Sequence, residues 1–161
     1  MVVNGLRLPG AFVQLVSQPN ATSDWMLKED RDAYGNHWEV DLELCTDLGK
    51  IMAETEYLPQ AFKLAIRTPE EIERGDALSA NKPGSIPFIT DFSQVVRFGR
   101  DSAGDAFCFD FRDDHKNPSI IFWDDYYWRR VAPNFEAFMR LFKPYDVREY
   151  LLRYEDRKSV V

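Results

Sequence analysis

The chain of 161 residues is 45% hydrophobic and 14% aromatic, which is enough apolar material for one packed domain over residues 1–161 without cross-links. Its formal net charge of −7 argues against nucleic acid as the main partner, because phosphate binding needs clusters of Lys and Arg. The acidic balance is compatible with simple solubility and with docking on a basic protein.

The amino terminus lacks the charged start and apolar run of a signal peptide, and no window approaches the roughly 20 apolar residues of a membrane helix. Cys45 and Cys108 are the only two cysteines. Their apolar neighbours favour buried free thiols over one disulfide, and free thiols are typical of a reducing compartment. We therefore expect a cytoplasmic protein.

The first elements are predicted from hydrophobic periodicity. Residues 8–16 form a short helix with an apolar face, and residues 18–36 form a polar surface loop held by Trp25. Strict alternation over residues 38–44 predicts a half-buried strand whose acidic side chains face the solvent.

The next segment starts with a helix. Thr46 or Asp47 caps it, and Pro59 ends it. Residues 61–66 are ambiguous between a strand and a continuation of that helix. Residues 68–71 read Thr-Pro-Glu-Glu, which fits a capping box at the start of another short helix. A loop follows, and residues 86–90 are a candidate strand.

The clearest feature is a β-hairpin of residues 95–100 and 106–112 around a polar turn. Gly104 supplies the positive φ that such turns usually require. Residues 119–123 form a third strand of the same sheet.

The last part of the chain predicts two helices. Asn134 caps the first, whose apolar stripe consists of Phe135, Phe138, Met139 and Phe142. Pro144 starts the second, with Val147, Tyr150, Leu151 and Tyr154 on one face. Helices around a mainly antiparallel sheet define an α+β fold.

No residue pattern indicates a metal or cofactor site. His37 and His115 have no second ligand nearby, so they are expected at the surface. Residues 30–35 share acidic positions and a glycine with a calcium loop, but Tyr34 occupies a ligand position and flanking helices are missing. A turn in a polar loop is the simpler interpretation, and we expect no cofactor.

Two acidic pairs, Asp113-Asp114 and Asp124-Asp125, are the candidates for acid–base chemistry. Such chemistry needs two carboxyls across a cleft, with one pKa raised by apolar surroundings. Acids at strand ends are normally solvated, so we expect no catalytic residue. A small carboxylate-dependent enzyme using Asp113 and Asp125 remains the alternative.

A dense aromatic cluster follows the third strand and precedes Arg129 and Arg130. Tyr, Trp and Arg are the residue types enriched at interface hot spots, whereas strand alternation would bury part of the cluster. With the nearby acids, the cluster gives a candidate partner-binding surface: Asp105, Asp110, Asp124, Asp125, Tyr126, Tyr127 and Trp128.

Several of these motifs together resemble the SUKH superfamily, which contains bacterial immunity proteins and yeast cell-wall-synthesis regulators of the Smi/Knr type. The resemblance is strongest over residues 95–142. It lies in the strand, Gly-Asp turn, aromatic strand and final helix, and its motif residues are Gly99, Gly104, Asp105, Phe109, Trp123, Phe135 and Phe138. Leu8-Pro9 is similar to the family's opening helix, whereas the family's usual glycine runs are absent.

The resemblance implies an α+β fold, no cofactor and no catalysis. Bacterial members are thought to neutralise a cognate toxin by binding it in the cytoplasm, and the acidic charge would suit a basic toxin such as a nuclease. We therefore expect a non-catalytic immunity protein with a protein partner, without direct binding to nucleic acid or membrane. A regulatory or scaffold domain, as in the yeast relatives, is the first alternative.

Overall fold

The structure is a computed structural model and describes residues 1–62, 68–71, 73–74, 82–124 and 127–159, with side chains as far as residue 153. The elements of this part of the chain are, in order, β1 (Val2–Val3), β2 (Leu6–Arg7), α1 (Gly10–Val16), β3 (Asp24–Leu27), β4 (Asp41–Leu44), α2 (Leu48–Ala61), β5 (Val95–Arg100), β6 (Ala106–Asp110), β7 (Ser119–Asp124), β8 (Tyr127–Ala132), α3 (Phe135–Met139), β9 (Phe142–Pro144) and α4 (Val147–Ser159).

One seven-stranded sheet organises the fold. Its strand order is β8-β7-β6-β5-β4-β3-β9, and every neighbouring pair is antiparallel. β1 and β2 form a separate two-stranded ribbon. The predicted α+β class, with helices around a mainly antiparallel sheet, is confirmed.

The hairpin predicted from residues 95–112 lies at the centre of this sheet, as β5 and β6. Because the sheet is covered on both faces, alternate residues of β6 are buried on opposite sides. Phe107 and Phe109 face one cluster of buried residues, and Cys108 faces the other. The ring of Phe109 stacks on that of Phe98 with 4.1 Å between centroids.

Different elements cover the two faces. On the first, α1 supplies Phe12 and α3 supplies Phe135 and Phe138, whose rings pack edge-on against the phenylalanines of the sheet. On the second, Leu58 of α2 and the segment that carries Ile89 pack on β6, β7 and β8.

Gly99 of β5 lies close to the backbone of β4. A Cβ atom there would lie 2.9 Å from the backbone oxygen of Glu43. The register of β5 against β6 shifts between Arg97 and Gly99. The hydroxyl of Thr55 in α2 accepts a hydrogen bond of 3.0 Å from the Arg97 backbone N–H. The helix therefore supplies a partner for this N–H group at the irregularity of β5.

The predicted helix caps are confirmed where the structure describes them. The Asp47 carboxylate accepts from the backbone N–H of Lys50, and the Asn134 side chain accepts from that of Ala137. The Thr68 hydroxyl accepts from the N–H of Glu71.

Several predicted elements were wrong. The polar segment 18–36 contains β3, which pairs with β4 and β9. Residues 86–90 form no strand. Pro59 lies inside α2, which continues to Ala61, and Phe142 belongs to β9 rather than to the preceding helix. The ambiguous residues 63–66 lie outside the described part of the chain.

β8 was also missed, since the last strand predicted from the sequence is that of residues 119–123. It pairs with β7 along its length. Its other edge receives loop contacts: the Arg130 N–H donates to Gly84 and the Ala33 N–H donates to the carbonyl of Val131. None of the helices described here is both long and apolar enough to cross a membrane.

Candidate functional site

The terminal helix α4 is attached to the rest of the chain through its charged edge. Glu149 forms an ion pair with Lys143 of β9. The guanidinium of Arg153 donates to the backbone carbonyl of Leu27 at 2.6 Å and lies 3.3 Å from Glu149. These contacts orient the helix by its polar side chains rather than by apolar packing.

The apolar side of the same helix consequently points to the solvent. Val147, Tyr150 and Leu151 lie on one face at about 100° per residue, as predicted, and are 56%, 49% and 51% exposed. These three residues are called the outer stripe below. The side chain of Tyr154, the fourth predicted member of that face, lies outside the part of the chain that the structure describes.

Tyr145, just before the helix, extends the outer stripe. It is 47% exposed, and its ring centroid lies 5.8 Å from that of Tyr150. Contiguous exposed Tyr and Leu side chains are unusual on a surface that meets only water, and such patches are typical of interaction sites.

An open groove of about 540 Å³ runs beside this helix. Its floor and walls include the buried Trp38 as well as Tyr145 and Tyr150. It is called the acidic groove below, because five of its lining residues carry carboxylates: Glu29, Asp30, Glu39, Asp41 and Asp101. Among the lining residues that the structure describes, Lys28 and Arg153 are cationic.

The polar turn between β5 and β6 forms one wall of the acidic groove. Gly104 has a φ of +87°, as predicted, which lets the chain reverse. The Asp101 carboxylate accepts from the backbone N–H groups of Ala103 and Asp105, at 3.0 and 2.9 Å. The turn therefore holds its shape through Asp101, whose side chain is largely buried.

Asp41 joins this turn to β4. Its carboxylate accepts a hydrogen bond of 2.7 Å from the Ser102 N–H. Burial raises the pKa of the Asp101 carboxyl, and the negative charge of Asp41 acts in the same direction. Both carboxylates already accept backbone N–H groups, which gives them a structural use at the groove wall.

Two residues of the predicted partner surface lie inside the fold. Asp110 is 2% exposed and its carboxylate forms two hydrogen bonds of 2.9 Å with Arg112. Trp128 is 1% exposed and packs against Phe62 and Trp123 in the second buried cluster. A side chain buried in this way is not accessible to a partner, so both residues leave the candidate surface.

Asp124 and Tyr127 belong to a network around the buried Arg129, in which the Asp124 side chain is 41% exposed. The Nε of Arg129 donates to Asp124 at 2.9 Å, and Arg129 also forms an ion pair with the buried Asp32. Tyr127 is buried as well, and its hydroxyl lies 3.4 Å from Asp124. This placement favours a structural role over the partner contact predicted from the sequence.

The remaining predicted surface residues fall elsewhere. Asp125 and Tyr126 lie outside the described residues. Asp105 is half-buried in the turn that forms a wall of the acidic groove.

The residues that carried the family resemblance occupy structural positions. Gly99 permits the close approach of β4, and Gly104 permits the turn. The aromatic members fill the two buried clusters: Phe109, Trp123, Phe135 and Phe138.

The sequence contained one signal for the site that the structure reveals. The helical spacing of residues 147–151 predicted the apolar face, although nothing local showed that it points outwards. The clustering of Glu29, Glu39 and Asp41 beside Tyr145 was missed, because these residues meet only through the pairing of β3 with β4 and β9.

The geometry supports neither a calcium site in the loop of residues 30–35 nor a metal site at His37. The Asp32 carboxylate accepts from the backbone N–H groups of Tyr34 and Asn36 and pairs with Arg129. His37 lies 3.0 Å from Asp30 at the surface. Within the described ranges, no three His, Cys, Asp or Glu side chains are grouped so that they could hold a metal ion.

The fold and site thus define an α+β protein whose exposed apolar stripe borders an acidic groove. The family model described as the SMI1 / KNR4 family (SUKH-1) matches residues 4–141, and the chain belongs to that family. This confirms the resemblance found in the sequence. Neither the curated proteins nor the solved structures contain a significant match. β9 and α4 lie beyond the matched residues.

Proposed function

We propose that this chain is a non-catalytic binding protein, an immunity protein that neutralises a cognate bacterial toxin in the cytoplasm by direct contact. The observation that supports the proposal is the orientation of α4 on the rest of the chain. Its charged edge, with Glu149 and Arg153, is used for attachment, and its outer stripe faces the solvent.

The physical argument is the cost of exposing apolar surface. Each buried square ångström of apolar surface is worth roughly 25 cal/mol, so an uncovered row of Val, Tyr and Leu side chains gives up stability in the free protein. A partner that covers the row recovers that free energy. Tyr150 also supplies a large, fairly rigid side chain of the kind enriched in hot spots.

The acidic groove adds charge to this apolar patch. An apolar centre with a charged rim is the usual anatomy of a protein interface. The rim carboxylates would accelerate encounter with a basic toxin, whereas the aromatic and aliphatic contacts would set the dwell time. Membership of the SMI1 / KNR4 family supports an immunity or Smi1-like role.

The enzymatic alternative rested on Asp113 and Asp125. Asp113 is strongly exposed and its carboxylate forms an ion pair of 3.1 Å with Arg130, whereas a general acid needs a cleft with apolar surroundings. Asp125 lies outside the described residues. The geometry of Asp113 therefore favours binding over this form of catalysis.

The regulatory or scaffold alternative shares the same surface, and the family name supports it equally. The two functions differ in their partner. An immunity protein binds and neutralises one toxin, which a neighbouring gene encodes, whereas a scaffold binds several unrelated proteins.

The test is co-expression with the protein encoded by the neighbouring gene. We expect that protein alone to arrest growth, and this chain to restore growth and to co-purify with it. A double variant, Tyr150→Ser with Leu151→Ser, should lose protection while remaining folded, whereas Leu48→Ser in the exposed face of α2 should protect fully. A neighbour without toxicity and without affinity for this chain would remove the basis of the proposal.

A further inference from the structure

The acidic groove and the outer stripe form one continuous surface. Tyr150 lines the groove and also belongs to the stripe, and the Tyr145 ring lies beside it at 5.8 Å. A ligand that enters the groove therefore meets carboxylates on one side and an exposed apolar row on the other.

Four of the five lining carboxylates have no ion-pair partner among the described residues, and the exception is Asp30, which lies 3.9 Å from Arg31 and 3.0 Å from His37. Among the described residues, no Lys or Arg side chain lies within 4 Å of the carboxylates of Glu29, Glu39 or Asp41. Arg153, one of the two cationic lining residues, is held by the carbonyl of Leu27 and by Glu149. The field inside the groove is consequently negative, and it selects for a cation.

The groove walls suit a cationic side chain in a second way. The rings of Tyr145 and Tyr150 are exposed at its edge. Faces of tyrosine rings attract Lys and Arg through the ring quadrupole, and the aliphatic stems of those residues pack on the same rings. Carboxylates and tyrosines together therefore form a receptor for Lys or Arg carried on a polypeptide.

From this geometry we infer that the acidic groove receives a Lys- or Arg-bearing segment of the protein partner, while apolar neighbours of that cation cover the outer stripe. This inference rests on the proposed function and assigns the occupant of its surface. In the partner segment, Lys or Arg residues therefore alternate with apolar residues.

A second copy of this chain fits the surface less well. A two-fold dimer places the same patch of both subunits face to face. It would bring two acidic grooves face to face beside α4, and the whole chain already carries −7. Like charges opposed across an interface weaken association, so charge complementarity selects a basic partner.

The experiment uses the full chain and a defined probe. A 12-residue peptide alternating Lys with Leu and Tyr is titrated into the ¹⁵N-labelled protein at low salt, with a peptide carrying Glu for every Lys as control. We expect amide shifts at residues 28–30, 39–41, 101–103 and 145–153, and none with the control peptide. Binding should weaken steeply between 50 and 200 mM salt, because the rim charges are screened.

Matched charge reversals locate the effect. Glu39 lines the acidic groove, whereas Glu56 is exposed on α2 away from it. Glu39→Lys should weaken peptide binding by about tenfold, because an attraction becomes a repulsion, and Glu56→Lys should leave it within about twofold. Equal effects of the two variants, or shifts centred outside the groove, would overturn the inference.

Two further outcomes separate this inference from the proposed function. If the neighbour-encoded protein binds wild type and Glu39→Lys equally well, the groove assignment is wrong and the proposed function stands. If the same amides shift on concentration of the protein alone, and sedimentation shows a dimer, the occupant is a second copy and the inference is wrong.

Discussion

Arg129 provides the sharpest prediction about stability. It is 3% exposed on β8, its Nε donates to Asp124 at 2.9 Å, and it pairs with Asp32, which is also buried. Its guanidinium carbon lies 5.3 Å from the ring centroid of Trp38. The pair joins the loop around Asp32 to the edge strand of the sheet, so its loss disturbs two segments at once.

The perturbation is Arg129→Met, which keeps the length of the side chain and removes its charge. Removing one partner of a buried ion pair costs about 3–5 kcal/mol, because the other charge is left without compensation. Asp32 keeps hydrogen bonds from the backbone N–H groups of Tyr34 and Asn36, at 2.8 and 3.0 Å. We therefore expect the lower end, about 3 kcal/mol, or a melting temperature lower by about 6–12 °C.

The assay is urea unfolding followed by tryptophan fluorescence, for Arg129→Met, Asp32→Asn and the double variant. If the cost is the uncompensated Asp32 charge, adding Asp32→Asn to Arg129→Met should recover about 1–2 kcal/mol. A cost of Arg129→Met below about 1 kcal/mol, or a double variant equal to the sum of the two single ones, would refute the reasoning.

The other predictions concern the central hairpin. Gly99→Ala should lower the free energy of unfolding in urea by about 1–3 kcal/mol, because its Cβ would lie 2.9 Å from a backbone oxygen, and full stability of this variant would contradict the strand spacing. Gly104→Ala should lower it by about 1–2 kcal/mol through its positive φ alone. Burial raises the pKa of Asp101, so the folded chain holds its proton to higher pH than the unfolded chain, and stability falls as pH rises through that interval. Asp101→Asn should therefore unfold at higher urea than wild type at pH 7 and at the same urea near pH 3, and an advantage that persists at pH 3 would count against this cause. Burial also raises the pKa of the Cys108 thiol. A thiol reagent at pH 8 should therefore modify Cys108 no faster than the protein unfolds. Rapid modification of Cys108 in the native protein would contradict its burial in the core.

The parts of the fold that the sequence predicts well are those with local causes. Gly104 and its polar neighbours specify the turn of the central hairpin, and Asp47 and Asn134 cap helices through N–H groups three residues away. The missed strands depend on distant partners. β3 pairs with β9, where Trp25 lies opposite Pro144, and its four residues, inside an otherwise polar segment, are too few to show that pairing.

β8 was missed because it buries a charge. Its Arg129 interrupts the apolar pattern expected of a buried strand, and the compensating Asp32 comes from a loop 97 residues earlier. The same strand explains why the aromatic cluster was assigned to a partner surface. Trp128 fills the buried cluster beneath α2, which single-sequence composition does not reveal.

The candidate site was predicted only in part for a related reason. Spacing alone places Val147, Tyr150 and Leu151 on one helix face. Which face meets the sheet is decided by the ion pair of Glu149 with Lys143 and by the contact of Arg153 with Leu27, both of which are tertiary.

The most direct test of the central claim is a calorimetric measurement of the affinity between the neighbour-encoded protein and this chain, with and without substitutions in the outer stripe. We expect wild-type protein and Leu48→Ser to bind it equally, and Tyr150→Ser with Leu151→Ser to weaken the dissociation constant by about tenfold or more, as loss of central apolar contacts does. Unchanged affinity of that double variant, with its unfolding transition intact, would contradict the claim that the outward face of α4 is the binding surface.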